Sequence, residues 1–308
     1  MKIVDHGTWP LTPADEALHT PGPELLWNES YYFDFAAADG SYGGYVRLGL
    51  YPNWDRAWYW ACLVRPGHEP VILVDNAAPL PAQGTDLKTG RYRATQEFTP
   101  DFGAAHLVLD GTADSGEHLA LDLEWRTAGG VYPYRDIVRY EIPCTVTGSV
   151  TAGRETIGVR ATGERDHSWG ERDWWSVSWL WTAGCLDDGT FFHGMQANIG
   201  IPLPWPSFHV PPPGDELIHL DGFGAETTFG ADDRPASSRL LLPGMPLSAE
   251  PLAFAPVDLT APTGEQAHFP RALCRYSADD GRTGHGWTEW HQPPAWREHD
   301  WSFSGQPR

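Results

Sequence analysis

The sequence is poor in the residues that build disulfides, zinc sites and covalent catalysts. Its cysteines are Cys62, Cys144, Cys185 and Cys274, and no two of them form a CxxC pair. This spacing indicates neither a disulfide framework nor a zinc site, and it predicts reduced, buried thiols. No GxSxG sequence is present either, which argues against hydrolysis through a serine nucleophile.

Metal and nucleotide motifs are also missing. None of the later histidines shows HxH or HxxxH spacing, namely those at 193, 209, 219, 285 and 291. The glycine-containing GSYGG and GDE segments lack the strand–loop–helix context of a nucleotide site. We therefore expect neither a metal nor a cofactor.

Positive charge and long apolar runs are scarce. The chain has 21 Lys and Arg against 41 Asp and Glu, a formal net charge of -20, and no basic cluster, so nucleic acid or an anionic membrane is an unsuitable partner. No segment approaches the roughly 18–20 apolar residues of a membrane span. The start, MKIVDHGTWPLTPADE, lacks a signal-peptide pattern. We expect a cytoplasmic monomer or homodimer without a membrane span.

Aromatic residues are abundant: 16 Trp, 11 Tyr and 12 Phe. This richness is typical of an aromatic-lined cavity or of an all-β core built around large rings. The 33 Gly and 28 Pro disfavour long helices and favour short strands. Alternating or apolar runs predict strands at 30–37, 44–51, 56–65, 70–75, 118–125, 155–162, 174–184, 190–199 and 272–279.

Two segments depart from the strand pattern. YPYRDIVRYEIP (132–143) is predicted to carry one or two helical turns and to connect two β-rich halves. IPLPWPSFHVPPPGDE (201–216) is a Pro-rich loop that could be a lid or rim, or a plain surface excursion.

The most unusual segment is GERDHSWGERDWW (163–175). In extended backbone, Arg165, His167 and Trp169 lie on one face, with Glu164, Asp166 and Ser168 on the other. Asp166 and His167 therefore cannot both face one cavity on a regular strand. Either a bulge redirects one of them, or one acts directly while the other supports it.

Two interpretations of this segment compete. A carboxyl in apolar surroundings has a raised pKa and can act as a general acid, while indole faces stabilise a nearby cation. Such a pocket suits protonation of an alkene. Alternatively, the charges form a structural ion network on a barrel rim and the tryptophans are core.

A resemblance favours the first interpretation. DHSWG (166–170) resembles the Asp-His-x-Trp-Gly signature of the AttH-like, lipocalin-related family that includes carotenoid hydratase (hydroxyneurosporene synthase). WNESYYFDF (27–35), RYEIPCTVTGSV (139–150) and GRTGHGWTEW (281–290) agree with that family in order. The resemblance implies an all-β protein of two lipocalin-like antiparallel β-barrel domains, residues 1–144 and 145–308, that meet at an apolar pocket.

The same resemblance nominates site residues. Asp166 and His167 fall on the signature and are the candidate proton-handling pair, with Asp166 as the acid. If Arg172 keeps Asp166 ionised, Glu289 or Glu29 becomes the better donor. Residues predicted to contact substrate are Glu29, Tyr31, Trp60, Trp169, Arg172, Trp174, Trp179, Trp181 and His193, with core packing the competing interpretation for Trp60 and His193.

Three functional hypotheses follow. The first is a cofactor-independent enzyme that protonates a C=C bond of a hydrophobic isoprenoid, followed by hydration, dehydration or cyclisation. The second is a pericyclic cyclase of the Diels–Alder type, in which the pocket folds the substrate. The third is a non-catalytic carrier of a lipid or terpenoid.

Overall fold

The computed structural model describes residues 2–5, 9–135, 137–198, 202–204, 207–214 and 216–293. These residues form antiparallel β-structure with two short 3-10 helices, Pro13–Glu16 and Pro52–Trp54. The all-β prediction is confirmed. No helix in this part of the chain is long and apolar enough to cross a membrane.

The first sheet contains the strands of the N-terminal half and curls into a nearly closed barrel. Its strands are β1 (Lys2–Ile3), β2 (Trp27–Ala36), β3 (Gly43–Tyr51), β4 (Arg56–Val64), β5 (Val71–Ala78), β6 (Leu87–Lys88), β7 (Tyr92–Phe98), β8 (Ala104–Thr112), β9 (His118–Thr127), β10 (Gly130–Pro133), β11 (Arg139–Ala152) and β12 (Glu155–Glu171). The order is β5-β4-β3-β2-β12-β11-β9-β8-β7-β6, while β10 pairs with β11 and, in parallel, with β1.

The second sheet forms a half-barrel, with a separate hairpin made by β21 and β22. The remaining strands are β13 (Ser178–Leu186), β14 (Phe191–Asn198), β15 (Pro202–Pro204), β16 (Ser207–Val210), β17 (Ile218–Leu220), β18 (Gly224–Phe229), β19 (Pro235–Leu241), β20 (Leu247–Phe254), β21 (Val257–Thr260), β22 (Gln266–Phe269), β23 (Arg271–Ala278) and β24 (Thr283–His291). The sheet order is β17-β16-β14-β13-β24-β23-β20-β19-β18, with β15 beside β14.

Three apolar cores hold this architecture together. One fills the first barrel, one lies between the two sheets, and one fills the second half-barrel. The middle core combines Trp58 and Trp60 of β4 with Trp181 of β13 and Trp287 of β24. Burying a side chain of this size contributes roughly 1.5–3 kcal/mol, so the aromatic richness of the sequence mainly stabilises the contact between the sheets.

Strands next to the middle core are buried on both faces. On β4, Tyr59 and Leu63 face the barrel interior, while Trp58, Trp60 and Cys62 face the second sheet. Each of these strands is a wall between two interiors, which explains why β2 and β3 are buried along their whole lengths.

Several expectations differ from the structure. The segment 132–143 is not helical in its described residues, because β10 and β11 pair there as an antiparallel ladder. β11 runs through the expected domain boundary at 144/145, and the chain changes sheet only between Glu171 and Ser178. Cys185 is partly exposed, unlike the other three cysteines, and all four are free thiols.

The Pro-rich segment 201–216 lies partly outside the described residues. Pro202–Pro204 and Ser207–Val210 within it are short strands that pair with β14. The tail from residue 294 onward also lies outside the described residues.

Candidate functional site

A small cavity of about 30 Å³ lies between the two sheets. It has room for a water molecule or two. β2, β3, β11 and β12 line one side, and β13, β23 and β24 line the other. The lining residues are Ser30, Tyr32, Arg47, Arg139, Asp166, Arg172, Trp174, Trp179, Trp181, Phe269, Arg271 and Glu289. We call this space the inner cavity.

Strand β12 separates Asp166 from His167, as the alternation of its side chains predicts. Its ladder with β11 is regular, pairing Glu141 with Asp166 and Tyr140 with His167. No bulge redirects either residue. Asp166 consequently faces the inner cavity, while His167 faces the first barrel and stacks on Tyr31 at a ring-centroid distance of 4.0 Å.

Asp166 is held by a guanidinium. Its Oδ2 accepts a hydrogen bond of 2.7 Å from Nη2 of Arg139, whose Nε binds Glu141. Burial disfavours the charge on Arg139, but the Asp166 and Glu141 carboxyls outweigh burial and raise the Arg139 pKa well above its ordinary value. This buried ion pair fixes the Asp166 carboxyl at the wall of the inner cavity.

Glu289 is the second carboxyl of the inner cavity. It pairs across the β23–β24 ladder with Arg271, which donates a hydrogen bond to it. Burial raises the pKa of Glu289, although Arg271 and Arg139 act in the opposite direction. A raised pKa favours the protonated form that a proton donor needs.

Arginine side chains pack on the tryptophan rings around the inner cavity. The Arg47 guanidinium carbon lies 4.5 Å from the ring centroid of Trp60 and 5.1 Å from that of Trp174. That of Arg172 lies 5.5 Å from Trp174. Protein cations therefore already occupy aromatic faces that were expected to stabilise a substrate cation.

A wider, more apolar space of about 160 Å³, which we call the outer cavity, adjoins the inner one. Ser168, Arg172 and Trp179 border the outer cavity, and Arg172 and Trp179 also line the inner one. Apolar parts of its wall come from Ile137, Val138, Trp169, Val177, Met195 and Ala197. The outer cavity thus offers apolar surface next to the polar inner cavity.

His167 belongs to a separate buried cluster. Oε1 of Glu29 lies 2.5 Å from Nε2 of His167 and 2.9 Å from Nδ1 of His19. Burial lowers the pKa of His167 and keeps it neutral. Burial alone would raise the Glu29 pKa, but hydrogen bonds from His167 and His19 lower it. The cluster therefore pairs a carboxylate with histidines inside the first barrel.

His193 belongs to a third cluster, behind the inner cavity. Its Nε2 lies 2.7 Å from the Tyr134 hydroxyl, and its Nδ1 lies 2.8 Å from Oε1 of Glu164 without hydrogen-bond alignment. Burial lowers the His193 pKa to about 4 and raises the pKa values of Glu164 and Glu141 well above their ordinary range.

Among the described residues, two groups have the ligand types for a metal ion: His19, Glu29 and His167, and Glu141, Glu164 and His193. In the first group the ligand atoms already bond to one another, which accounts for their proximity without an ion. In the second group burial raises the pKa values of both carboxyls and so favours their protonated forms, which are poor metal ligands. The expectation of no metal stays a prediction.

The structure brings about half of the predicted site residues to one place. Asp166, Arg172, Trp174, Trp179, Trp181 and Glu289 line the inner cavity, and Trp169 lines the outer one. The remaining residues lie elsewhere: His167, Glu29 and Tyr31 around the first barrel core, Trp60 behind Arg47, and His193 beside Tyr134.

Sequence reasoning missed three arginines of the inner cavity: Arg47, Arg139 and Arg271. Each is at most 8% exposed. The sequence did contain a sign of these residues, because each arginine is a charged residue in or beside an apolar strand. A charge that is buried there requires a partner.

The comparisons with known proteins agree with this fold. The family model described as domain of unknown function DUF7064 matches residues 12–294, and the chain belongs to that family. No curated protein sequence matches the chain.

Three solved structures share the fold. An AttH-type protein from Nitrosomonas europaea has 15% identity and a TM-score of 0.67, covering 94% of this chain and 98% of its own. CghA has 12% identity and a TM-score of 0.63, with 93% and 96% covered. Kievitone hydratase from Nectria haematococca has 12% identity and a TM-score of 0.60, with 87% and 90% covered. The AttH-like resemblance and the lipocalin-like fold are thus confirmed, and identities this low establish the fold alone.

Proposed function

We propose that the chain is a cofactor-independent acid–base enzyme that hydrates, dehydrates or cyclises a hydrophobic small molecule in the inner and outer cavities. The observation that carries this proposal is the pair of buried carboxyls facing one cavity. Asp166 is paired with Arg139, while burial raises the pKa of Glu289. Two buried carboxyls at one cavity are the groups that general acid–base catalysis uses.

In the hydration direction, the Glu289 carboxyl donates its proton to one carbon of a C=C bond. The oxygen of water bonds to the other carbon, and the released proton passes to the Asp166 carboxylate. Return of that proton to Glu289 through water completes the cycle. Dehydration reverses these steps, and in cyclisation an internal alkene replaces the water.

The fold supports this class of reaction, because one protein of the same fold is named as a hydratase. An isoprenoid substrate is part of the proposal through the AttH-like resemblance, and the apolar wall of the outer cavity is compatible with it. A cytoplasmic location and a monomeric or homodimeric state stay predictions from the sequence.

The test uses terpenoid alkenes and alcohols as substrates, with products followed by mass spectrometry. Glu289→Gln is expected to lower turnover by about 10²–10⁴-fold, the usual contribution of a general acid. Glu226→Gln is the matched control, because Glu226 is exposed on β18, far from the cavity lining. Full turnover by Glu289→Gln would contradict the acid assignment. A modest loss would favour the pericyclic cyclase, and binding without conversion would favour the carrier.

A further inference from the structure

We propose that Arg47 and Arg172 form a subsite for an anionic oxygen group of the substrate, either a carboxylate or an ionised enol. This inference rests on the proposed function, since it names the class of substrate that the same cavity would take. The arginines would bind and orient the anionic group while the two carboxyls handle the proton.

Arg47 is the first part of the subsite. It is 4% exposed on β3, and its Nη1 has no hydrogen-bond partner among the described residues. No carboxylate of the described residues lies within ion-pair distance of Arg47. Its guanidinium is surrounded by aromatic rings and by Tyr51. A buried guanidinium without a counterion is costly unless a ligand supplies one.

Arg172 is the second part. Its Nη2 donates a hydrogen bond of 3.0 Å to Oγ of Ser168, and in the described structure it forms no ion pair with a carboxylate. Burial, followed by the nearby cations Arg139 and Arg47, lowers the pKa of Arg172 to about 10. An anion in the inner cavity would relieve this repulsion.

The charges around the inner cavity do not balance. Its lining contains Arg47, Arg139, Arg172 and Arg271 but only two carboxyls, and those pair with Arg139 and Arg271. Two guanidiniums are left over. In a chain whose formal net charge is -20, this concentration of positive charge indicates selection for an anionic ligand.

The polarity of the two cavities also suits an amphipathic ligand. The inner one is small and lined by charged groups, and the outer one is larger and more apolar. Arg172 lies where they meet. A free carbocation would be repelled by four guanidiniums, so an anionic group on the substrate also reconciles proton donation by Glu289 with its surroundings.

The test measures binding of three probes at equilibrium by isothermal titration calorimetry: geranic acid, its neutral methyl ester, and a geranyl-substituted cyclohexane-1,3-dione whose enol is ionised at neutral pH. The full chain is used as wild type, Arg47→Gln, Arg172→Gln and Arg172→Lys. Arg56→Gln is the matched control, because Arg56 also stacks on a tryptophan, with 4.0 Å to the Trp54 ring, but does not line the cavity. Thermal unfolding checks that each variant is folded.

We expect the wild type and Arg56→Gln to bind at least one anionic probe ten-fold or more tightly than the ester. Arg47→Gln and Arg172→Gln should reduce that preference at least ten-fold, and Arg172→Lys should keep part of it. Preference for the acid alone or the dione alone identifies the anionic group. Equal affinity for all three probes, or a preference that survives in both glutamine variants, would overturn the subsite.

Mass spectrometry of the same mixtures detects conversion of each probe and separates the two proposals. Selective anion binding in the wild type with no conversion of any probe would retain the subsite and contradict the enzyme. Conversion of an anionic probe at a rate undiminished in both Arg47→Gln and Arg172→Gln would retain the enzyme and refute the subsite.

Discussion

Asp166 and His167 are consecutive in the sequence but lie in two different interiors of the molecule. Asp166 binds Arg139 at 2.7 Å between the sheets, and His167 binds Glu29 at 2.5 Å inside the first barrel. The two residues of the signature therefore have separable roles. Asp166 belongs to the cavity, while His167 stabilises the barrel that positions it.

The first prediction separates these roles. His167→Gln should lower the free energy of unfolding by about 1–3 kcal/mol, because it weakens a buried hydrogen-bond network, while turnover per folded molecule changes little. Asp166→Asn should reduce turnover by about 10²-fold or more, because it removes the proton acceptor. Denaturant unfolding and steady-state kinetics on the same preparations check both values. A selective loss of turnover in His167→Gln would place His167 in the reaction.

The second prediction concerns the pH dependence of turnover. The acid acts only when protonated, so kcat/KM should fall as pH rises through the Glu289 pKa, which burial raises above its ordinary value. This decrease of kcat/KM with rising pH should disappear in Glu289→Gln, whose activity should be low and independent of pH over the same range. A descending limb that persists unchanged in the variant would assign it to another group.

The third prediction concerns acid stability. His291 is fully buried, and burial lowers its pKa to about 3. Between the unfolded value near 6.5 and this folded value, the unfolded chain binds a proton that the folded chain does not. Stability should therefore fall with falling pH, by up to about 1.4 kcal/mol per pH unit from this residue. His291→Gln should reduce the slope of unfolding free energy against pH over this range. An unchanged slope would mean that His291 does not titrate in this way.

The fourth prediction tests the packing that places β12. A Cβ atom on Gly163 would lie 1.9 Å from the backbone oxygen of Asp34, whereas one on Gly158 would meet no atom within 4 Å. Gly163→Ala should therefore destabilise the fold by about 2 kcal/mol or more, and Gly158→Ala should leave stability within about 0.5 kcal/mol. Thermal and denaturant unfolding compare the two variants. Equal stability would show that β12 can shift away from β2.

The fold class and part of the strand layout could be predicted from the sequence. Alternating or apolar runs located nine of the 24 strands in the described part of the chain, and on β12 alternation correctly placed Asp166 and His167 on opposite faces. The domain division was harder to predict, because β12 begins as an ordinary amphipathic strand and only its later part, from Glu164 to Ser168, is continuously buried. The local sequence pattern does not indicate where β12 changes from a half-exposed strand to a buried one.

The site was only partly predictable for a related reason. Its composition depends on which strands become neighbours: Arg271 reaches Glu289 through the β23–β24 register, and Arg47 reaches Trp174 across the sheet contact. These are long-range contacts, and residue spacing in the sequence does not predict them. Composition indicated either an aromatic-lined cavity or an aromatic core, and it did not indicate the guanidiniums that pack on these rings.

Turnover in deuterated water tests proton donation by Glu289 most directly. Wild-type protein is incubated with terpenoid alkenes, and the products are analysed by mass spectrometry and NMR beside Glu289→Gln. Proton donation by Glu289 predicts deuterium on a new C–H bond of the wild-type product and its loss in the variant. A product without solvent deuterium would contradict proton donation by Glu289.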